Sequence, residues 1–458
     1  MKINIFFVLI WFSTMLHGQT GNTSQGTLAL GSNTTGTYNT AIGYQNMENN
    51  ISGFHNTGLG VSSLRFNTSG DYNVGLGNFS LYNNINGFSN VAIGYYALFE
   101  NITGSMSTAV GIRSLENNTA SRNTAFGYHS LRYTTSGYEN TALGSTALVS
   151  NTTGNYNTAL GHAALRDNDS ATGNTAVGWG SMLRNTSGHS NASVGLNAMS
   201  SNLTGENNLA LGYQAMMENE NGNNNTAVGY KSLYSSKGNA NTGIGMYTLR
   251  YTTTGNYNSA IGTNAGDGLT TGSYNTLVGY NSDTSSSKVI NEIVIGYNAV
   301  GQGENSVVLG NGDIGAVYLG QNNQARLYAD DLYVDDGFFG GDIIVSSDKR
   351  LKANIVSLGT TLAKLLLIDG KSYTAKKDGK QKIGVLAQDI QRVFPKLVST
   401  DNRGMLAVNY QGLIPVLINA LKEQNVQIEK LNTTIKQQKS KFLKQEKRLN
   451  RLERLLFE

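Results

Sequence analysis

The pentad Asn39-Thr40-Ala41-Ile42-Gly43 decides the fold, because it returns along the chain at a nearly constant spacing. Twelve of the fourteen steps between pentads measure 17 residues and two measure 16. Every pentad ends in glycine, and an apolar residue precedes that glycine. Self-similarity at such a period predicts stacked structural repeats, which we call rungs. With substitutions, the later pentads begin at positions 56, 73, 90, 107, 123, 140, 157, 174, 191, 208, 225, 241, 258 and 275.

A second apolar column lies eight residues after each pentad start, where Leu or Met stands in thirteen rungs, from Met47 to Leu249. Side chains alternate along a strand, so Thr40 and Ile42 are expected to face one way and Ala41 the other. One short strand cannot bury an apolar edge, but stacked rungs can. We therefore expect buried columns of Ile/Leu/Val and of Leu/Met. The sequence predicts a mainly β fold, a parallel β-roll or solenoid of about fifteen rungs within residues 19–325.

The repeats resemble a known family. Together with Asn305-Ser306-Val307-Val308-Leu309-Gly310, the pentads are similar to the head repeat of trimeric autotransporter adhesins over roughly residues 28–320. The resemblance implies a left-handed parallel β-roll assembled as a homotrimer. It leaves the ligand open, and a cell-surface glycan or another surface receptor is the expected class of partner. Columns of Thr, such as Thr40 and Thr57, also leave an ice- or surface-binding solenoid as an alternative.

Composition separates the chain into two unlike parts. Residues 347–458 carry 22 Lys+Arg and 10 Asp+Glu, a charge of +12, and residues 1–346 carry 12 and 20, a charge of -8. The absence of Cys excludes disulfides and Cys-ligated metal sites. The five His are scattered, so no metal site and no cofactor are predicted. No carboxylate recurs in register with another, which disfavours a polysaccharide-degrading rod such as a tail-spike body.

The first 18 residues have the pattern of a signal peptide. Lys2 precedes the apolar run from Ile5 to Phe12, and the sequence turns polar after Gly18. No later segment approaches the roughly 18 apolar residues that a membrane helix requires. We expect a secreted or cell-surface protein without a membrane span, a bacterial envelope product rather than a phage structural protein.

Residues 326–346 are predicted to form a neck, and a new domain is predicted at 347–420. Its opening, Ser346-Ser347-Asp348-Lys349-Arg350-Leu351-Lys352, is typical of a capped helix start when taken alone. However, Gly384-Val385-Leu386-Ala387-Gln388-Asp389-Ile390, Val393-Phe394-Pro395 and Leu406-Ala407-Val408-Asn409-Tyr410 follow in order. Together these motifs resemble the peptidase S74 type of intramolecular chaperone, found at the C-terminus of phage endosialidases and tail spikes. The resemblance spans roughly residues 346–430.

The resemblance implies a small α+β domain that trimerises, assists folding of the β-rich body and cuts itself off. It assigns Ser347 as nucleophile and Lys352 as base, with cleavage between Ser346 and Ser347. A Ser hydroxyl needs such a base, and a Lys serves when burial or a cationic neighbour depresses its pKa. Asp348 and Arg350 match the motif, and orientation of the helix start is their expected role.

The chain ends in a predicted coiled coil at 421–458. Apolar residues occupy every a position of a heptad pattern, and Gln interrupts the d positions. A trimer suits this pattern and both resemblances. The many flanking Lys and Arg are interpreted as a solvated face rather than as a nucleic-acid site. The a positions are Ile414, Leu421, Ile428, Ile435, Phe442, Leu449 and Leu456.

The predicted function is thus an exported trimeric fibre or adhesin-like structural protein. Its β-roll would be folded by a C-terminal chaperone that releases itself by Ser/Lys autoproteolysis before Ser347. The chain would be a single-turnover serine peptidase with no other activity. A carbohydrate-binding or polysaccharide-degrading protein of the tail-spike kind and an ice-binding solenoid remain the alternatives.

Overall fold

The computed structural model describes residues 20–315, 317, 347–376, 379–400 and 404–456. The chain divides into two compact units, Met1–Arg326 and Leu327–Glu458. The predicted signal peptide at 1–18 and the predicted neck at 326–346 lie outside the described residues.

The first unit is a parallel β-solenoid with one short strand in each rung, and 18 strands form a single sheet. All fifteen pentads form strands, which confirms the predicted fold class. The sheet also extends by three strands, because backbone pairing continues where the pentad sequence has decayed. The strands are β1 Thr23–Gln25, β2 Thr40–Ile42, β3 Thr57–Leu59, β4 Val74–Leu76, β5 Val91–Ile93, β6 Thr108–Val110, β7 Thr124–Phe126, β8 Thr141–Leu143, β9 Thr158–Leu160, β10 Thr175–Val177, β11 Ala192–Val194, β12 Leu209–Leu211, β13 Thr226–Val228, β14 Thr242–Ile244, β15 Ser259–Ile261, β16 Thr276–Val278, β17 Glu292–Ile295 and β18 Ser306–Leu309.

Each strand pairs with the equivalent residues of the next rung. Thr40 lies beside Thr57, and the 16-residue step keeps the same pairing, with Thr108 beside Thr124. The glycine that closes each pentad permits this close stacking. At Gly144, with φ +141°, an added Cβ would lie 2.4 Å from the carbonyl oxygen of Gly161. A side chain at this position would therefore push the rungs apart.

The core is thinner than the sequence pattern suggests. The Leu/Met column is fully buried, as predicted, and the central pentad residue, such as Ala142, is buried beside it. The expected burial of the Ile/Leu/Val column is wrong within one chain, because strand alternation turns it outward with the Thr side chains. Leu143, for example, is 50% exposed. This outer stripe comprises Ile42, Leu59, Leu76, Ile93, Val110, Phe126, Leu143, Leu160, Val177, Val194, Leu211, Val228, Ile244, Ile261 and Val278.

A ladder of buried asparagines runs beside the core. In its middle, Asn157 donates from Nδ2 to the carbonyl oxygen of Ala171 at 2.8 Å. Its Oδ1 accepts the backbone N–H of Asn174 at 3.0 Å, and its own N–H donates to Oδ1 of Asn140 at 3.0 Å. Buried polar groups are stable when hydrogen-bonded, and here the side chains satisfy the backbone of the neighbouring rungs. The first residue of the pentad is thus a structural bridge.

Each rung also contains non-glycine residues in the left-handed region. In one rung these are Thr146, Leu148 and Tyr156, with φ of 56°, 51° and 58°. That conformation costs an L-residue roughly 1–2 kcal/mol. The N–H of each residue donates to a carbonyl of an adjacent rung at 2.9 to 3.2 Å. Stacking therefore offsets a cost that a lone rung could not recover.

The second unit contains short elements followed by one long helix. Two antiparallel strand pairs, β19 with β20 and β21 with β22, accompany two short helices. Two 3₁₀ turns span Lys349–Leu351 and Pro395–Leu397. The other elements are α1 Leu362–Leu365, β19 Lys371–Thr374, β20 Gln381–Gly384, α2 Ala387–Val393, β21 Val398–Thr400, β22 Leu406–Val408 and α3 Tyr410–Leu456.

Candidate functional site

Ser347 and Lys352 lie side by side at the start of the second unit. The 3₁₀ turn Lys349–Leu351 folds the chain back, and the N–H of Lys352 donates to the carbonyl of Lys349 at 3.1 Å. The Lys352 Nζ then donates to the Ser347 Oγ at 2.5 Å. The structure brings together the two residues that the resemblance assigns as nucleophile and base. Ser346, which carries the carbonyl to be attacked, lies outside the described residues.

Asp348 and Arg350 stabilise this turn rather than contacting the Ser347 hydroxyl. The Asp348 carboxylate accepts the backbone N–H of Arg350 at 2.8 Å and pairs with its guanidinium, Nη2 to Oδ2, at 2.7 Å. The hydrogen bond from the Arg350 side chain lowers the pKa of Asp348, and the same bond raises the pKa of Arg350. Asp348 is therefore a charged N-cap across the physiological pH range, consistent with an orienting role.

The pair is open to solvent in a single chain. All six residues from 347 to 352 are exposed. A lysine acts as general base when its ammonium is removed from water or placed beside another cation. The geometry supplies proximity between a hydroxyl and an amine, and any further protein layer over the site would supply the desolvation.

Glu423 is a residue that sequence reasoning missed. Its carboxylate, on helix α3, accepts the backbone N–H groups of Thr361 and Leu362 at 2.5 and 3.2 Å, at the start of α1. The Thr361 hydroxyl donates to the carbonyl of Val416 at 3.2 Å, and Thr361 is 2% exposed. Thr361 and Glu423 lie 62 positions apart, so no local sequence pattern predicts their contact. It ties the segment that follows Lys352 to the long helix.

The solenoid carries aromatic rows rather than a catalytic constellation in its described part. His55 stacks between Tyr38 and Tyr72, with ring centroids 4.9 and 5.2 Å apart. Glu116 is buried between Arg113 and Arg132 at 3.3 and 2.5 Å, so its charge is compensated. Throughout residues 20–315 and the described parts of the second unit, His, Asp and Glu do not form groups of three that could hold a metal ion.

One segment of the second unit matches a known family. Residues 347–399 match the family Peptidase_S74, described as chaperone of endosialidase. The match begins at Ser347 and includes Lys352. A parallel β-solenoid is therefore followed, in the chain, by a segment that matches this family.

Two curated relatives of the chain are phage long tail fiber proteins. The chain is 35% identical over 95 residues to the long tail fiber protein Gp37 of Escherichia phage AR1, covering 19% of this chain and 9% of that protein. It is 32% identical over 115 residues to the long tail fiber protein Gp37 of Salmonella phage S16, covering 22% and 15%. The chain thus spans a small fraction of the length of these relatives. No solved structure matches it. Among the described helices, none has the length and apolar character needed to cross a membrane.

Proposed function

We propose that this chain is a trimeric fibre protein whose solenoid is the lasting product and whose C-terminal part is a self-releasing folding aid. The observation that carries the proposal is the regular stacking of 18 parallel strands ahead of a Peptidase_S74 segment. A regular stack suits a load-bearing rod, and the relatives named as long tail fiber proteins support the same role.

The outer stripe supports assembly with further copies of the chain. It presents fifteen apolar side chains, none of them buried, on one face of neighbouring strands. Monomeric proteins rarely expose contiguous apolar patches of more than a few hundred Å². A second copy in the same register would present the same row at the same spacing. Association along this stripe would bury it, and a homotrimer is the state that the two family resemblances imply.

A folding aid would help the solenoid because its rungs are stable only when they are stacked. Thirteen of the fifteen rungs contain a left-handed Leu or Met residue that is stabilised only after the next rung has stacked. Pairing many such rungs, in several chains at once, is slow and exposes apolar surface to wrong contacts. A C-terminal unit that associates first would align the chains before the rods form. The basic charge of this unit belongs to a part that is later removed.

In the proposed cleavage, Lys352 takes the proton from the Ser347 Oγ, and the oxygen attacks the carbonyl carbon of Ser346. The peptide bond between Ser346 and Ser347 breaks, and its nitrogen, the new amino terminus of Ser347, receives the proton. An ester then joins the Ser346 carbonyl to the Ser347 Oγ. Water hydrolyses this ester and releases the rod with a free carboxylate. The distance of 2.5 Å between Nζ and Oγ supports the first proton transfer.

Mass spectrometry of the purified protein tests the cleavage. Wild type is expected to give two fragments that meet between Ser346 and Ser347, whereas Ser347→Ala and Lys352→Ala remain intact. Lys349→Ala is the matched control, because Lys349 lies in the same 3₁₀ turn and contributes its carbonyl rather than its amine. An intact wild-type chain in assembled protein would refute autoproteolysis. Light scattering of Ser347→Ala tests the trimer independently.

The rod is proposed to act outside the cell, with a surface glycan as ligand. Exposed aromatic rows support this part of the proposal, since sugars stack on aromatic faces and edges. Tyr257 and Tyr274, for example, are stacked with centroids 5.1 Å apart and are both more than half exposed. A glycan array probed with cleaved trimer is expected to show binding that Tyr257→Ala weakens. Equal binding by the variant would remove this row as the site.

A further inference from the structure

A second column of buried asparagines, which we call the corner column, links successive rungs through their side chains. The Nδ2 of Asn84 donates to the Oδ1 of Asn67 at 2.7 Å, and the Nδ2 of Asn101 donates to the Oδ1 of Asn84 at 2.8 Å. Buried amides joined in this way satisfy one another and hold neighbouring rungs together. The linked residues are Asn50, Asn67, Asn84 and Asn101, and then Asn151, Asn168, Asn185, Asn202 and Asn219.

The corner column stops at each of the two 16-residue rungs, which begin at Ser107 and Asn225. In the first, the Nδ2 of Asn118 donates to a carbonyl of its own turn at 2.7 Å instead of to Asn101. In the second, Ser236 stands in the place of asparagine. The Oδ1 of Asn101 and the Oγ of Ser236 are therefore buried without a hydrogen-bond partner in the described solenoid. A buried polar atom left in this state destabilises the contact around it.

Backbone hydrogen bonds are lost at the same two places. In the other rungs between residues 34 and 270, the N–H group that follows the corner position donates to the next rung. Ile85, for example, donates to the carbonyl of Ile102 at 2.9 Å. Within residues 20–315, the N–H groups of Ile102 and Glu220 have no acceptor in the protein. Each lies in the rung just before a short one, because the shortened turn displaces the carbonyl that would accept the bond.

The core side of the same rungs stays joined. Strands β5 and β6 remain paired in register across the first place, and Leu98 and Leu115 are fully buried there. A salt bridge of 2.8 Å between Lys237 and Glu220 crosses the second place. Its side chains are 43% and 49% exposed, and ion pairs so open to water contribute little stability. Rungs that are loosened at one corner and held at the core can separate locally without global unfolding.

We propose that the two contacts in front of the short rungs are built-in opening points of the solenoid. The rungs separate there along one corner, the Leu/Met column keeps them together, and bending of the rod concentrates at these positions. One opening point lies between the rungs that begin at Asn90 and Ser107, and the other between those that begin at Asn208 and Asn225. A rod with such points yields at set places under lateral load while its core stays closed. Neither cleavage nor assembly with other chains is needed for this opening.

Amide hydrogen exchange of the full-length chain, resolved to single residues by mass spectrometry, tests the proposal. The Glu100 N–H crosses the first opening point to the carbonyl of Glu116 at 2.8 Å, and the Asn83 N–H makes the equivalent bond one rung earlier at 3.0 Å. Because the two bonds match, a difference in exchange reports separation of the rungs. After correction for intrinsic rates, Glu100 is expected to exchange about tenfold faster than Asn83, the effect of roughly one lost hydrogen bond. Glu218 and Ser201 are the corresponding pair at the second opening point.

Changing the length of a turn provides a matched pair of variants. One Ser inserted after Thr119 gives the first short rung 17 residues and is expected to slow exchange at Glu100 about tenfold, because the lost hydrogen bonds can form again. Deletion of Ser187 shortens a complete rung and is expected to create a new opening point. Exchange at Asp167, which bonds to that rung from the rung before, should then become faster by a similar factor.

Two results would overturn the proposal. Equal exchange at Glu100 and Asn83 in the unaltered chain would show that the rungs do not separate at the first short turn, and this comparison stands even where a variant fails to fold. Faster exchange at Glu100 that persists in a folded insertion variant would show that the missing residue is not its cause. Slower exchange at Glu100 after the insertion, together with faster exchange at Asp167 after the deletion, would support the opening points.

Discussion

Replacing Asn157 in the middle of the buried ladder is expected to destabilise the solenoid by about 3 kcal/mol. Asn157→Ala removes the acceptor of the Asn174 N–H, a buried donor left without its partner. It also removes the 2.8 Å bond to the Ala171 carbonyl, which retains a weaker bond from Asn168 at 3.2 Å. A buried group without its partner costs roughly 1–3 kcal/mol. The loss of the partner of the Asn174 N–H and the weaker hydrogen bonding of the Ala171 carbonyl together give about 3 kcal/mol.

Two further variants distinguish hydrogen bonding from volume. Ser107 occupies the same ladder position naturally, and its Oγ accepts the N–H of Asn123 at 3.3 Å. Asn157→Ser is therefore expected to cost less than Asn157→Ala. Asn157→Asp is expected to cost most at neutral pH, because a carboxylate would face the Ala171 carbonyl in a buried site. Protonation would raise its stability again as the pH falls, since the folded state would hold that proton above the usual pKa of Asp.

Urea unfolding followed by circular dichroism measures the free energies, and amide hydrogen exchange at Asn174 measures the local opening. Asn86→Ala is the control, since Asn86 lies exposed in a turn, and it is expected to change stability by less than about 0.5 kcal/mol. A change of that small size for Asn157→Ala, or an Asp variant no worse than Ala at neutral pH, would refute the ladder as a source of stability.

Three further outcomes are expected. Leu148→Ala, in the fully buried column, should lower the free energy of unfolding by roughly 2–5 kcal/mol in urea titration. Gly144→Ala should prevent stacking against Gly161 and abolish the folded β signal, whereas Gly173→Ala, whose Cβ would meet its first neighbour at 3.8 Å, should still fold at reduced stability. Burial and nearby arginines lower the pKa of His129 in the folded state. As the pH falls, the unfolded chain therefore binds a proton at His129 at a higher pH than the folded chain does. Thermal stability should therefore fall as the pH drops through about 6.5, and His129→Gln should flatten that slope; an unchanged slope would contradict this origin.

Much of the solenoid follows from its repeat because strands, spacing and direction are local properties. The pentads predicted every strand from β2 to β16, and side-chain alternation predicted that Thr40 and Ala41 lie on opposite faces. It did not predict which of the two faces is buried. The sequence could not show that the core is filled by small residues such as Ala142 and Ala147 together with the Leu148 column, since the width of a rung depends on how its turns fold. Ile/Leu/Val residues such as Leu143 were therefore expected inside and lie outside.

The asparagine ladder and the second unit show contacts that the sequence alone could not predict. Asn157 is the first residue of its pentad, so its position is evident from the sequence. Its hydrogen bonds, however, reach residues 14 and 17 positions away and depend on the spacing of the stacked rungs. Ser347 and Lys352 were identified through motif resemblance, and a single 3₁₀ turn suffices to bring them together. The contact of Glu423 with Thr361 joins distant segments, so it required the structure.

Identical pairing above and below each rung has an evolutionary consequence. Because equivalent residues meet every 17 positions, duplicating or deleting one whole repeat leaves two matching edges to rejoin. The fibre can therefore change its length in steps of about 4.8 Å without altering its cross-section or surface chemistry. The length of the solenoid is then set by repeat number, a quantity that unequal recombination can vary in one event.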